Sequence, residues 1–274
     1  RMVQLFINCF TNTLDTTVKR LEDGTTYIIT GDIPAMWLRD SVAQIRPYLM
    51  AAGEDKEIAD MLVGLVRKQF FYVNLDPYAN AFNQEANGNC WEHDETDMLP
   101  WIWERKYELD SLCYPIQLAY LVWKNTGRTD HFDETFVKGV RRILEVWRTE
   151  QHHEERSPYH FVRKNCYFTD TLSRGGKGAL VKSGTGLIWS GFRPSDDSCV
   201  YGYLIPSNMF AVVVLGYLAE IANQVLGDEA LAAEAEAFRM EVKEAIETLA
   251  VVKNEYYGRI YAYETDGCGQ FLLM

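Results

Sequence analysis

Stretches of helical periodicity alternate in this sequence with two long loops that hold its densest tryptophan, asparagine and aspartate, and few folds accommodate both. In Gln4–Arg20 the apolar residues Leu5, Phe6, Cys9, Leu14 and Val18 line one face of a helix. The same period predicts helices over Met36–Ala51, Asp55–Tyr72, Tyr107–Asn125, Asp133–Gln151, Ser207–Leu226 and Asp228–Leu249. Gly127 and Gly227 fall just past two of these, where a left-handed cap is favoured, and Pro206 marks a helix start. A β-like stretch, Thr25–Thr30, follows an Asp23-Gly24 turn. The loop Asn74–Trp103 runs for about thirty residues, and Thr169–Ser195 is rich in Gly and Ser. Loops beyond roughly 12–15 residues are uncommon in compact domains unless they build a site. Helix pairs with long functional loops on one side describe an α/α barrel or toroid. The expected class is therefore all-α, with short β-hairpin-like segments in the loops. No composition break marks a linker, so residues 1–274 read as a single catalytic domain. Seven helices fall short of six pairs, which predicts a toroid incomplete at its C-terminal end, with further helices beyond Met274.

Composition excludes several classes. A net charge of -12, from 39 acidic and 27 basic residues, argues against nucleic acid, which requires Lys and Arg against phosphate. No apolar run approaches the ~18 residues of a membrane span; the longest is Met209–Leu215, and no basic-then-apolar leader opens the chain. The six cysteines include no Cys-x-x-Cys pair and read as reduced thiols of a cytoplasmic protein. His93, near Asp94, Glu95 and Asp97, is the one histidine in metal-like company, but no second His stands at ligand spacing, so neither metal nor cofactor is expected. His152 and His153 read as a solvated helix end. Gly175-Gly176-Lys177-Gly178 leads into no helix, which rules out a phosphate loop, and there is no Gly-x-Ser-x-Gly elbow. Nothing in the pattern fixes an oligomeric state.

Four segments can carry chemistry. In the first, Gly31 and Pro34 form a turn, and Trp37, Arg39 and Asp40 then open a helix. An Arg–Asp couple beside an indole suits a hexose, whose hydroxyls pair with the charges while its C–H face packs on the ring. A structural ion pair at a helix start is the plainer explanation. In the second, Trp101–Ser111, Glu104 and Glu108 are four apart and would share a helix face, with Asp110 pointing elsewhere. A solvated charged face is the alternative, but the preceding Trp101 and Trp103 would be wasted on it. The third, Trp189–Asp197, places Asp196 and Asp197 side by side next to Arg193. Adjacent carboxylates perturb each other, so one keeps its proton to higher pH while Arg193 holds the other ionised. An Asp-Asp turn is the competing reading. The fourth, Asp76–Asn83, offers Asn80 and Asn83, and reads as turn chemistry that shapes a loop.

Together the segments GDIPAMWLRDS, NLDPYANAF, PWIWERKYELDSLCYP, WSGFRPSDD with YGYLIPSNMFA, and YAYETDG resemble glycoside hydrolase family 125, from about Phe6 to Gly267. The resemblance implies an (α/α)6 barrel and an exo-α-1,6-mannosidase that inverts the anomeric centre without a metal. It implies Asp196 as general acid and Asp197 as a tuning or sugar-binding neighbour. Trp37, Arg39 and Asp40 match the element expected in the −1 subsite, with Glu108, Asp110 and Arg193 as further substrate-binding positions. The expected partner is a mannose-containing glycan. The family's general base is a Glu in a Met-His-Glu setting near the C-terminus. That setting is missing here: only His153 precedes a Glu, Glu154, inside a charged helix. An α-glucoside hydrolase on the same barrel, or a non-catalytic carbohydrate-binding toroid, are the alternatives.

Overall fold

The computed structural model describes all residues from Arg1 to Met274. Its first helix, α1 (Met2–Thr16), ends sooner than its apolar period suggests. The β-branched run after it becomes a strand: β1 (Val18–Arg20) pairs antiparallel with β2 (Thr26–Ile28), and Val18 stands opposite Ile28. Asp23 closes the turn by accepting from the Thr25 backbone N–H at 2.9 Å. The helix expected over Met36–Ala51 breaks into β3 (Met36–Trp37), α2 (Leu38–Ile45) and a 3-10 turn, Arg46–Met50. Pro47 has no N–H to give, so the α-helical ladder cannot run through it.

The remaining helices lie where periodicity puts them. Three are capped by an aspartate that accepts from first-turn N–H groups: Asp55 before α3 (Lys56–Leu75), Asp133 before α5 (Glu134–Glu150) and Asp228 before α9 (Glu229–Leu249). Between α3 and α5 come β4 (Ala81–Phe82), β5 (Ile102–Glu104) and α4 (Leu109–Thr126), which ends on left-handed Gly127. After α5 follow two single turns, α6 (His153–Arg156) and α7 (Ser173–Gly176), and then β6 (Tyr203–Leu204). Helix α8 (Ile205–Ile221) runs on as a π-turn to Leu226 before Gly227. The chain closes with the hairpin β7 (Val251–Asn254) and β8 (Gly258–Tyr261), then β9 (Glu264–Thr265) and β10 (Phe271–Leu272).

Helix α8 packs on α4 and α9, while α4 also meets α2 and α3, and α3 meets α5. One cluster of 59 buried residues unites them. The helical run Ile205–Leu226, with mean hydropathy 1.7, is long and apolar enough to cross a membrane by length and composition. Ser207, Asn208, Glu220, Asn223 and Gln224 divide it into shorter apolar stretches. Here it is a packing helix that still leaves Val213 in solvent, and α1 likewise exposes Met2, Val3, Leu5 and Phe6.

Two small sheets position the site. In the order β3-β4-β5, Trp37 pairs with Ala81 and Ala81 with Glu104. In the order β10-β9-β6, Leu204 pairs with Glu264. Strand β3 passes directly into α2 and β6 into α8, while four residues join β5 to α4. The N-terminal ends of α2, α4 and α8 thereby meet: Arg39 of α2 bonds Glu108 at the cap of α4, and Ser207 of α8 bonds Asp110 of α4.

Candidate active site

Arg193–Asp197 forms the tip of a tight hairpin whose stems are bridged at Phe192 and Ser198. The Asp196 N–H donates to the Arg193 carbonyl at 2.9 Å, and the Arg193 N–H to the Asp197 carbonyl at 2.8 Å. Pro194 and Ser195 fill the turn, and Asp196 takes the left-handed position at φ 68°. That position in such a hairpin ordinarily belongs to glycine. A left-handed aspartate persists only where its surroundings over-determine it, and such residues concentrate at functional sites. Here Arg193 Nε meets Glu264 Oε1 at 2.6 Å, and Glu264 Oε2 accepts from the N–H groups of Val200 and Tyr201. On the other flank, Ser198 N–H donates to the Thr169 carbonyl at 2.7 Å.

Asp196 faces a cluster built on Arg39. Arg39 Nη1 lies 2.6 Å from Glu108 Oε2 and 3.8 Å from Asp110 Oδ2, and its Nε lies 3.6 Å from Asp40. Burial disfavours the guanidinium charge, but Glu108, Asp110, Asp40 and Asp196 more than offset this, so Arg39 stays protonated. The carboxyls move the other way. Burial, reinforced by Glu104, raises Asp196 above the ordinary carboxylate range, while Lys106 and Arg39 pull it back. Burial pushes Glu108 well up against the pull of Arg39, and it also raises Asp110. Glu108 Oε1, Asp110 Oδ2 and Asp196 Oδ1 are buried and have no hydrogen-bond partner. Unpartnered buried oxygens are costly, and most native structures avoid them. Three in one cluster form a surface ready to bond hydroxyls or hold a proton.

Behind the cluster, β5 and the residues after it send buried charges to two sides. Glu104 accepts from Arg163 at 2.9 Å and from Asn80 at 3.1 Å. Lys106 Nζ donates to the Asp196 main-chain carbonyl at 2.9 Å and to Asp170 at 3.1 Å. Arg105 turns away and pairs with Asp76 at 2.7 Å.

Arg39, Asp40, Glu108, Asp110 and Asp196 therefore come together as one group, and other expectations need correction. Glu104 and Glu108 do not share a helix: Glu104 ends a strand and Glu108 stands at the cap of α4. Asp110 does not point elsewhere but toward Arg39. The Arg193 side chain holds Glu264 rather than an aspartate of its own loop, and the Asp197 carboxylate bonds only Ser195 Oγ, at 3.0 Å. The shift on Asp196 comes first from burial and then from Glu104, and Asp197 is not among its main causes. Trp37 is 8 % exposed and packs with Ala35 and Ala81 against Ile33 and Trp103, so its ring serves a small apolar cluster. Asp196 lines none of the five most prominent surface hollows, of about 350 to 460 Å³. The cluster meets solvent through half-exposed Asp40 and the partly exposed Asp196 instead.

His153 is also not on a solvated face. It is buried, lies 2.6 Å from Glu150 and 2.8 Å from the Lys177 carbonyl, and stacks on Trp189 at 3.6 Å. Lys106 and Glu264 escape the sequence reading. Near Cys90 and His93 no set of three or more ligating side chains converges on a metal position.

A helical fold that presents carboxyls raised above their ordinary range by burial, beside a buried guanidinium, suits acid-assisted cleavage of a polyhydroxylated substrate. The sequence profile of glycoside hydrolase family 125, the metal-independent alpha-mannosidases, matches residues 1–274. The chain belongs to that family. It is 52% identical, at a TM-score of 0.95, to a metal-independent alpha-mannosidase of Streptococcus pneumoniae solved as a non-productive complex with α-1,6-mannobiose. That match covers 98% of this chain and 64% of the other. The Meiotically up-regulated gene 157 protein of Schizosaccharomyces pombe is 34% identical over 300 residues, spanning all of this chain and 57% of that protein. This chain thus spans somewhat under two thirds of the relatives it matches.

Proposed function

We propose that the protein releases terminal α-1,6-linked mannose from glycans by an inverting, exo-acting mechanism with Asp196 as general acid. The observation that carries this reading is the Asp196 carboxyl itself, raised above the ordinary carboxylate range by burial, with a buried oxygen that meets no N–H donor and mounted on a left-handed hairpin tip. A glycosidic oxygen beside that carboxyl takes its proton as the bond to the anomeric carbon breaks. Charged Arg39, with Asp40, Glu108 and Asp110 around it, supplies donors and acceptors for the hydroxyls of the departing mannose's ring. Inversion further requires a carboxylate roughly 6.5–9.5 Å from the acid to activate water on the opposite face. We assign that role to a glutamate outside residues 1–274. The α-1,6-mannobiose bound by the Streptococcus pneumoniae relative supports the linkage. Six free cysteines, with Cys113 and Cys199 buried, support a reducing, cytoplasmic setting.

The test is proton NMR of mannose released from α-1,6-mannobiose by the full-length protein. Initial β-mannose is expected. Initial α-mannose would refute inversion, and an absence of mannose would refute the activity.

A further inference from the structure

We infer that Lys106 is a positioning residue for the acid: its ammonium clamps the main-chain carbonyl of Asp196 and holds that residue in the left-handed conformation that aims its carboxyl. This rests on the reading of Asp196 given above. Lys106 is 2% exposed, which is rare for a lysine, and its Nζ points at the hairpin tip. It donates to the Asp196 carbonyl at 2.9 Å and to Asp170 Oδ1 at 3.1 Å, lies 3.9 Å from Glu104, and sits 5.1 Å from the Phe192 ring centre. Two of its three N–H groups are hydrogen-bonded, and the contacts with Asp196 and Phe192 seat it against the hairpin.

The clamp is itself held. Asn80 accepts from the Lys106 main-chain N–H at 3.1 Å and donates to Glu104 at 3.1 Å, fixing the residues on either side of Arg105. Asp170 belongs to the 3-10 turn Phe168–Asp170, and its neighbour Thr169 accepts from Ser198 at the far stem. One buried cation thus ties strand β5, that turn and the hairpin into a single unit. A left-handed aspartate at a loop tip costs more than a glycine would there, and the clamp on its carbonyl offsets that cost. The charged groups facing the Asp196 carboxyl are Glu104, Lys106, Arg39 and Glu108; those facing Lys106 are Glu104 and Asp170.

Two substitutions in the full-length enzyme separate position from charge. Lys106→Met removes both, so kcat on α-1,6-mannobiose is expected to fall about a hundredfold with KM nearly unchanged. Loss of the positive charge also strengthens proton binding by Asp196, so the basic limb of the kcat–pH profile moves to higher pH. Lys106→Arg keeps the charge but displaces the donor, so kcat falls while the limb stays in place. This second variant also carries the test if the first does not fold. A folded Lys106→Met enzyme with wild-type kcat and an unmoved limb overturns the inference, and so does Lys106→Arg with wild-type kcat. Asp196→Asn is assayed alongside: if it hydrolyses normally, the acid assignment fails and this inference with it. If it is inactive while both Lys106 variants behave as wild type, only the clamp fails.

Discussion

Arg105 and Lys106 are neighbours in the chain, yet they serve opposite surroundings. On the Arg105 side the carboxylates are saturated: both oxygens of Asp76 and both of Glu150 accept hydrogen bonds, from Tyr78, Arg105, Ser157 and His153. On the Lys106 side Glu108, Asp110 and Asp196 each keep a buried oxygen without a partner. A fully satisfied buried network holds structure, whereas an unsatisfied one costs stability and persists where a ligand or proton transfer uses it. The first side is scaffold and the second is site.

Replacement of Asp196 by Asn probes that division with the largest effect. Turnover of α-1,6-mannobiose should fall by about 10²–10⁴-fold, and less for an aryl mannoside whose leaving group needs no proton. Asn tolerates the left-handed backbone, so circular dichroism should be unchanged. Equal losses on both substrates would count against an acid role.

Breaking the scaffold side should cost folding rather than chemistry. Arg105→Met leaves the buried Asp76 without its cation, and urea unfolding should register a loss of about 3–5 kcal/mol. Arg39→Met should cost less, about 1–3 kcal/mol, because Glu108 already tends toward its neutral form. Equal costs would erase the distinction between the two sides.

Stability against pH sharpens the contrast further. Asp196, Glu108 and Asp110 hold protons more tightly folded than unfolded. Their favourable contribution is complete below the ordinary carboxylate value and is lost as pH rises through the folded values. Asp196→Asn should therefore gain about 1 kcal/mol over wild type near neutral pH, and that gain should vanish in acid. Thermal unfolding across pH 3–8 measures it, where a gain independent of pH would contradict the account. The smallest effect belongs to Asp197→Asn, expected within about 0.5 kcal/mol of wild type by the same measurement, since its carboxylate bonds only Ser195.

The long helices and their glycine ends at Gly127 and Gly227 were legible in the sequence because periodicity and left-handed caps are local properties. Asp55, Asp133 and Asp228, read only as first residues of helices, stand one residue before them and accept their first N–H groups. The carboxyl cluster was legible only as separate segments, tied together by resemblance. What failed was pairing across the chain: Arg193 with Glu264, 71 residues on, and Lys106 with the Asp196 carbonyl, 90 residues on. Spacing along a sequence holds no record of such contacts, so the adjacent Asp197 and Arg193 drew a partnership that the fold gives to others. His153 misled for a similar reason. Its charged neighbours suggest solvent, but Trp189 covers its ring.

Carbon NMR of the full-length protein, with aspartate side chains isotopically labelled and Asp196→Asn used for assignment, reads the central claim without any substrate. The account predicts that the Asp196 carboxyl titrates clearly above the ordinary aspartate value of about 3.9. Titration at or below that value would show an anion where a proton donor is required.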